Sequence, residues 1–354
     1  MQVKETLMWK ELNEAPAILQ GLAQKNADVL KKIVQDAKGI CGVYTAARGT
    51  SDHAMIYLKY LFESILGLPV ASGAPSVATM YGGKLKLQNY LVIGCSQSGK
   101  AADVMEIVKE GNACGAVTVA ITNDEESPLA KLAKYHLYCG AGEEKSVAAT
   151  KTFSCQLYLA LLLTASFAGE IGDCALKLGG LLEKAVPAID AATDAMAKDF
   201  VSAPDCFVLS RGISSAIAFE CGLKLQETCY IRARAYHSSD FYHGPMAMIS
   251  AGTKVILFAS RHSLHGGDEV HRADCRKCAE KMCELGADLY IVTDDAAAYK
   301  DLAAHVVEIP GGESEAQTVF FFALAVQMLA CKTSCGKGLS PDSPRALKKV
   351  TVTK

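Results

Sequence analysis

Two short segments join hydroxyls to a glycine directly after an apolar run. Gly49-Thr50-Ser51 follows Ile40–Ala46, and Ser96-Gln97-Ser98-Gly99 follows Tyr90–Cys95. If each run is a strand and each segment opens a helix, hydroxyls and free backbone N–H groups meet at the helix start. That makes a neutral cradle for an anion, phosphate above all. Ordinary capping by Ser and Thr would account for either segment alone. Two of them at strand ends in one half of the chain favour phosphate. The sequence contains no GxxxxGK[ST], and no GxGxxG follows an apolar run, which points away from nucleotides and toward a small phosphorylated metabolite.

The second half carries different chemistry. Phe258-Ala259-Ser260-Arg261-His262 stands where a cradle would be, without its glycine. Glu227 ends a helical pattern, and the run from Tyr236 to Pro245 contains His237 and His243. A carboxylate and a histidine in one half, with a phosphate cradle in the other, suit proton transfer on a sugar phosphate. On spacing alone Glu227 could equally be a surface carboxylate. A rival cluster, His262, His265, His271, Cys275, Cys278 and Cys283, includes a C-x2-C pair of the kind zinc uses. Val270–Leu285 reads as a helix, however, with 271, 275, 278 and 282 on one face, so a half-buried face containing thiols is preferred and no metal is expected.

Strands and helices must position these groups. Near-continuous apolar runs at Ile40–Thr45, Tyr90–Cys95, Val117–Thr122, Cys206–Ser210, Val255–Ala259, Leu289–Thr293 and His305–Ile309 read as strands buried on both faces of parallel sheets. Helical patterns lie between them at Asp52–Leu66, Ala101–Glu110, Ala216–Glu227 and Val270–Leu285. The alternation predicts doubly wound α/β units. It also occurs twice. Arg48-Gly49-Thr50-Ser51 recurs as Arg211-Gly212-Ile213-Ser214, and Ile121-Thr122-Asn123-Asp124 as Val292-Thr293-Asp294-Asp295. Matching offsets indicate a duplicated domain. The link across Gly169–Pro204 is Ala-, Leu- and Lys-rich and reads as helical.

The chain has 354 residues, half of them hydrophobic, enough for two domains with sizeable cores. Its formal net charge of -2 gives no pull toward nucleic acid or an anionic membrane. Two uncharged stretches, Thr152–Gly169 and Ala316–Cys331, read as core helices and not membrane spans. The 14 cysteines are scattered through apolar runs, as reduced thiols of a cytoplasmic protein would be. The N-terminal segment carries Lys4, Glu5, Lys10 and Glu11 and does not fit a secretory signal.

Six motifs stand in order. Arg48-Gly49-Thr50-Ser51, Ser96-Gln97-Ser98-Gly99 and Glu144-Lys145-Ser146-Val147-Ala148-Ala149-Thr150-Lys151 come first. Lys224-Leu225-Gln226-Glu227-Thr228, His243-Gly244-Pro245-Met246-Ala247 and the tail from Pro344 through Lys348, Lys349 and Val352 follow. In that order and spacing, from about Trp9 onward, the chain resembles the sugar isomerase (SIS) family. Within the family it is most similar to the isomerase half of glucosamine-6-phosphate synthase and its stand-alone relatives, the isomerase-like glucosamine-6-phosphate deaminases and the fructosamine-6-phosphate deglycases.

The resemblance implies two tandem doubly wound parallel-sheet SIS domains, each a three-layer α/β/α unit. The boundaries expected are a helical segment at 1–30, a first domain with the cradle at 31–185, a second with the catalytic carboxylate and histidine at 186–340, and a tail at 341–354 closing the site. It implies that Ser96, Gln97 and Ser98, with Ser51, hold phosphate, and that Thr50 sits beside the sugar. Val147 and Ala149 would line the site through their backbone. Glu227 would shuttle a proton between C1 and C2. His243 would assist ring opening from the partner subunit of a homodimer. Lys349 would meet the open-chain carbonyl, with Lys348 also touching substrate.

Departures from the synthase are Lys100-Ala101 where it has Glu-Thr after the cradle, and Ala149 where it has Ser. The expected chemistry needs no metal or redox cofactor. No glutaminase segment with a nucleophilic cysteine precedes the first motif, so the expected reaction is deamination of an amino-sugar 6-phosphate, with glucosamine 6-phosphate giving fructose 6-phosphate and ammonia. A deglycase acting on fructosamine 6-phosphates is the alternative enzyme, and a non-catalytic sugar-phosphate sensor the alternative of another class.

Overall fold

Among the residues described by the computed structural model, 2–169, 172–264 and 266–349, ten strands form two sheets. The first half runs α1 (Leu7–Asp36), β1 (Gly42–Ala46), α2 (Thr50–Leu61), β2 (Val70–Ser72), α3 (Ser76–Thr79), β3 (Tyr90–Cys95), α4 (Ala102–Ala113), β4 (Val117–Thr122), α5 (Pro128–Leu132), β5 (Tyr135–Tyr138) and α6 (Lys151–Ala168). After α7 (Asp173–Phe200) come β6 (Asp205–Ser210), α8 (Ser215–Cys229), β7 (Arg232–His237), α9 (Ser238–Phe241), β8 (Lys254–Ala259), α10 (Asp268–Glu284), β9 (Asp288–Thr293), β10 (His305–Glu308) and α11 (Glu315–Gly336).

Every strand pairing is parallel. The first sheet has the order β2-β1-β3-β4-β5, and the second repeats it as β7-β6-β8-β9-β10. These are two tandem α/β domains with helices flanking each sheet. The inner strands are buried residue after residue, because helices cover both faces. After β1 the chain crosses to β2 on one side, then returns to place β3 on the other. The strand order therefore reverses between β1 and β3, which opens a crevice at their carboxyl ends. The same reversal lies between β6 and β8.

The link between the repeats is helical, as its composition predicts, and forms α7. The two uncharged stretches are α6 and α11. α11 is long and apolar enough to cross a membrane, but its most apolar window is 89% buried inside the protein. α6 packs on α2 and α11 on α8.

Two compact units divide the chain. One comprises Glu14–Glu144, Lys151–Gly179 and, from the tail, Lys348 and Lys349; the other comprises the residues up to Asn13, Lys145–Thr150 and Gly180–Leu347. Each contains one whole sheet.

Candidate functional site

β1 and β3 pair with Ala46 opposite Gly94, so the segments that follow them leave the sheet side by side. Ser96 to Gly99 forms a tight turn in which the Gly99 N–H donates to the Ser96 carbonyl at 3.1 Å. Gly99 has φ +62°, and a Cβ there would lie 2.2 Å from Ser127 Oγ, so only glycine fits. No side chain caps α2 at Gly49 or α4 at Ala101. In α2 the Asp52 and His53 N–H groups turn back to the Gly49 carbonyl, and in α4 the Val104 N–H goes to Asp103 Oδ1 at 2.9 Å, while the Ser98 hydroxyl accepts the Lys100 N–H at 3.4 Å.

These segments line a cavity of about 330 Å³ with Arg48, Ser51, Ser96, Gln97, Ser98 and Lys349 among its walls. Thr50 opens α2 beside Ser51. Buried Ser51 accepts a hydrogen bond from Gln156 Nε2 on α6 at 3.0 Å. The amide nitrogen can only donate, so the Ser51 hydroxyl keeps its own proton, with Cys95 as a neighbouring hydrogen-bond partner. Cys95 also lines the cavity, but burial pushes its thiol well above the ordinary range and keeps it protonated.

Lys349 Nζ lies 2.6 Å from Glu144 Oε2. Glu144 is itself buried and also accepts from the Thr152 N–H at 3.1 Å and the Thr152 hydroxyl at 2.8 Å. Lys348 is exposed. Thus Ser51, Ser96, Gln97, Ser98 and Lys349 come together at one cavity of the first unit.

Val147, Ala149, Glu227 and His243 belong to the other unit. Val147 and Ala149 are half-buried, and the Val147 N–H donates to the Asp342 carbonyl at 3.0 Å. His243 is exposed beyond α9. Glu227 occupies the last turns of α8 with its side chain 23% exposed. Lys224, one turn earlier, places Nζ 2.7 Å from Glu227 Oε2 and 3.2 Å from Glu220 Oε1. Lys224 and Glu220 are fully buried. Burial alone would push the Lys224 ammonium down; the two carboxylates outweigh it and hold it above the usual lysine range.

The repeat of the cradle in the second unit is filled from within. Glu315, the first residue of α11, accepts from the Ser214 hydroxyl at 3.2 Å, and Ser214 is the counterpart of Ser51 in the repeated motif. Burial pushes the Glu315 carboxyl up to about 8. A side-chain carboxyl thus sits where the first unit keeps an open cavity.

Among the described residues no group of three or more His, Cys, Asp or Glu is arranged to hold a metal ion. Of the rival cluster, His265 lies outside the described residues. Cys275 and Cys278 are in the core with Met282, and Cys283 is half-buried with its thiol on the Ala303 carbonyl.

Several groups around these side chains were not singled out from sequence. Glu220 could have been, since Glu220, Lys224 and Glu227 recur at helical spacing. Gln156 and Asp103 give no such signal, because their partners are distant in sequence. Glu144 was read only as part of a motif.

The SIS domain model matches residues 42–166 and 199–334, one match for each sheet. The chain belongs to the SIS domain family. Among curated proteins this SIS chain is 30% identical over 352 residues to a glutamine–fructose-6-phosphate aminotransferase (isomerizing) of Methanothermobacter thermautotrophicus, covering 98% of this chain and 57% of that protein. The counterpart from Sulfolobus acidocaldarius is 28% identical, with 98% and 56% covered. The SIS chain therefore spans little more than half the length of these relatives. Among solved structures, a protein from Silicibacter pomeroyi assigned as a phosphosugar isomerase is 31% identical at a TM-score of 0.83, with 95% of this chain and all of that one covered. A glucosamine-6-phosphate deaminase from Thermotoga maritima shares the fold at a TM-score of 0.79 and 21% identity, with 98% and 100% covered.

Proposed function

We propose that this SIS protein is an amino-sugar 6-phosphate deaminase of the phosphosugar isomerase kind. It converts glucosamine 6-phosphate and water to fructose 6-phosphate and ammonia. The observation that carries the reading is the amine of Lys349 lining the same cavity as the hydroxyls of Ser51, Ser96 and Ser98. Hydroxyls hold a phosphate, and an amine on the same cavity meets the carbonyl end of the opened sugar. Membership of the SIS family supports the coarser statement, a phosphosugar isomerase, as does the Silicibacter pomeroyi relative, which matches along its whole length.

The phosphate supplies binding energy away from the reacting carbons and fixes C1 and C2. With the ring open, Glu227 takes the proton from C2 and returns it at C1, turning the 2-amino aldose into a 2-imino ketose. Water adds at C2, the C–N bond breaks, and ammonia leaves with protons supplied by that water. The oxygen of water becomes the carbonyl of fructose 6-phosphate. Val147 and Ala149 contribute backbone groups to the substrate, and Thr50, Gln97 and Lys348 side chains.

The functional assembly in this reading is a homodimer in which His243 of the partner subunit assists ring opening. The exposure of His243 agrees with it.

A coupled assay for ammonia and fructose 6-phosphate tests the proposal. Both products should appear in equal amounts from glucosamine 6-phosphate, and glutamine should be inert. Cleavage of fructosamine 6-phosphates, with glucosamine 6-phosphate untouched, would replace the deaminase with a deglycase. Binding of sugar phosphates without turnover of either would leave a sensor.

A further inference from the structure

The cavity has a second cation whose place in the chemistry is unassigned. Arg48 lines it, and its Nε lies 2.7 Å from Asp103 Oδ2. The two ends of this pair differ sharply. Asp103 is 2% exposed, while Arg48 is 54% exposed. Asp103 stands in the first turn of α4, and its other oxygen accepts the Val104 N–H at 2.9 Å. A buried carboxylate with both oxygens engaged is a fixed point, and it holds the guanidinium by one nitrogen only.

A guanidinium has five N–H donors in a rigid plane, and Asp103 takes the one on Nε. The fork of Nη1 and Nη2 remains on an exposed side chain that lines the cavity. Such a fork matches two phosphate oxygens at once, and its charge does not titrate in the working range. Lys349 does not duplicate it, because its ammonium is committed to Glu144 at 2.6 Å. The rest of the cradle is hydroxyls and helix starts, which orient an anion but carry no full charge.

We propose that Arg48, held by Asp103, is the phosphate-anchoring cation of this cavity. The hydroxyls set the position of the phosphate, and Arg48 makes the site prefer a dianion to a neutral sugar. Asp103 is a positioning residue that acts through Arg48. This inference rests on the reading of the cavity as a phosphate site.

Titration calorimetry of the full chain with inorganic phosphate, glucosamine 6-phosphate and glucosamine separates the two levels. Arg48→Ala should weaken both phosphates roughly tenfold to a hundredfold, the usual worth of a charge-assisted pair, and leave glucosamine unchanged. Arg48→Lys keeps the ion pair with Asp103 but lacks the fork, so it should bind phosphate several-fold more weakly than wild type. Should Arg48→Ala fail to fold, Arg48→Lys alone decides. Wild-type phosphate affinity in the folded variants, with Ser96→Ala/Ser98→Ala still weakening it, would overturn the role of Arg48 and leave the cradle standing. If the serine pair has no effect either, the phosphate reading itself falls.

Discussion

Lys224 and Glu227 form a 2.7 Å ion pair on α8 in which the lysine is wholly buried and the carboxylate is partly open to solvent. Glu220 completes the arrangement from the buried side. The buried ammonium fixes the direction of this carboxylate, which in the proposed reaction gives and takes a proton. Glu227→Gln keeps the shape but cannot accept that proton. Turnover should fall below a tenth of wild type, while sugar-phosphate affinity stays within a few-fold. Steady-state kinetics beside calorimetry distinguish the two effects, and a variant that keeps its rate would remove Glu227 from the base role.

Lys224→Met should act on the fold as well. It leaves Glu220 fully buried without its cation, and breaking a buried pair from one side costs about 3–5 kcal/mol. Chemical denaturation should show a loss of that order. A change below about 1 kcal/mol would mean that the pair is not buried in solution.

Ser96→Ala combined with Ser98→Ala should weaken 6-phosphate binding several-fold to a hundredfold, since each lost hydrogen bond is worth a net of about 0.5–1.5 kcal/mol. Unphosphorylated glucosamine should bind poorly to wild type and equally poorly to the variant. Equal affinity of wild type for glucosamine and its 6-phosphate would overturn the cradle.

Glu315 predicts a pH dependence of stability. Its carboxyl titrates near 8 in the folded chain against an ordinary 4.5. Below the ordinary value both folded and unfolded chains keep the proton. Between the two values the folded chain holds a proton that the unfolded chain has released, so this contribution to stability falls as pH rises and is gone above about 8. Glu315→Gln removes the titration. The stability difference between wild type and Glu315→Gln, followed by denaturant unfolding, should move against wild type through that window. A difference flat with pH would place an ionised carboxylate at Ser214.

If the proposed dimer places His243 of the partner subunit at the site of Glu227, inactive Glu227 and His243 variants should regain activity when mixed and subunits exchange, since a hybrid dimer would then contain one intact site. No recovery after exchange has been verified by mass spectrometry would put both residues in one subunit.

The sequence made the inner strands legible because burial on both faces leaves an unbroken apolar run, as in Tyr90–Cys95 and Val117–Thr122, whose limits coincide with β3 and β4. It showed the edge strand β10, read as His305–Ile309, but hid the other three edge strands. β5 is Tyr-His-Leu-Tyr and β7 begins Arg-Ala-Arg, so neither is apolar throughout, and β2 has three residues. The helix expected from Asp52 to Leu66 begins at Thr50, and its last turn, Phe62–Leu66, is a π-helix. The cradle could be found by its position after two strands. Glu227 stood out from other glutamates only through the resemblance. Asp103 and Gln156 act across long stretches of chain, and periodicity carries no trace of such pairs.

The bond between Glu144 and Lys349 spans 205 positions of chain. A ribosome releases the first sheet and the hydroxyls of Ser96 and Ser98 early, and the lysine only after the second sheet has followed. During that interval a nascent chain has the hydroxyls of the proposed cradle but lacks the amine beside them. Synthesis order thus acts as a timer, with Lys349 the last part of the cavity to arrive.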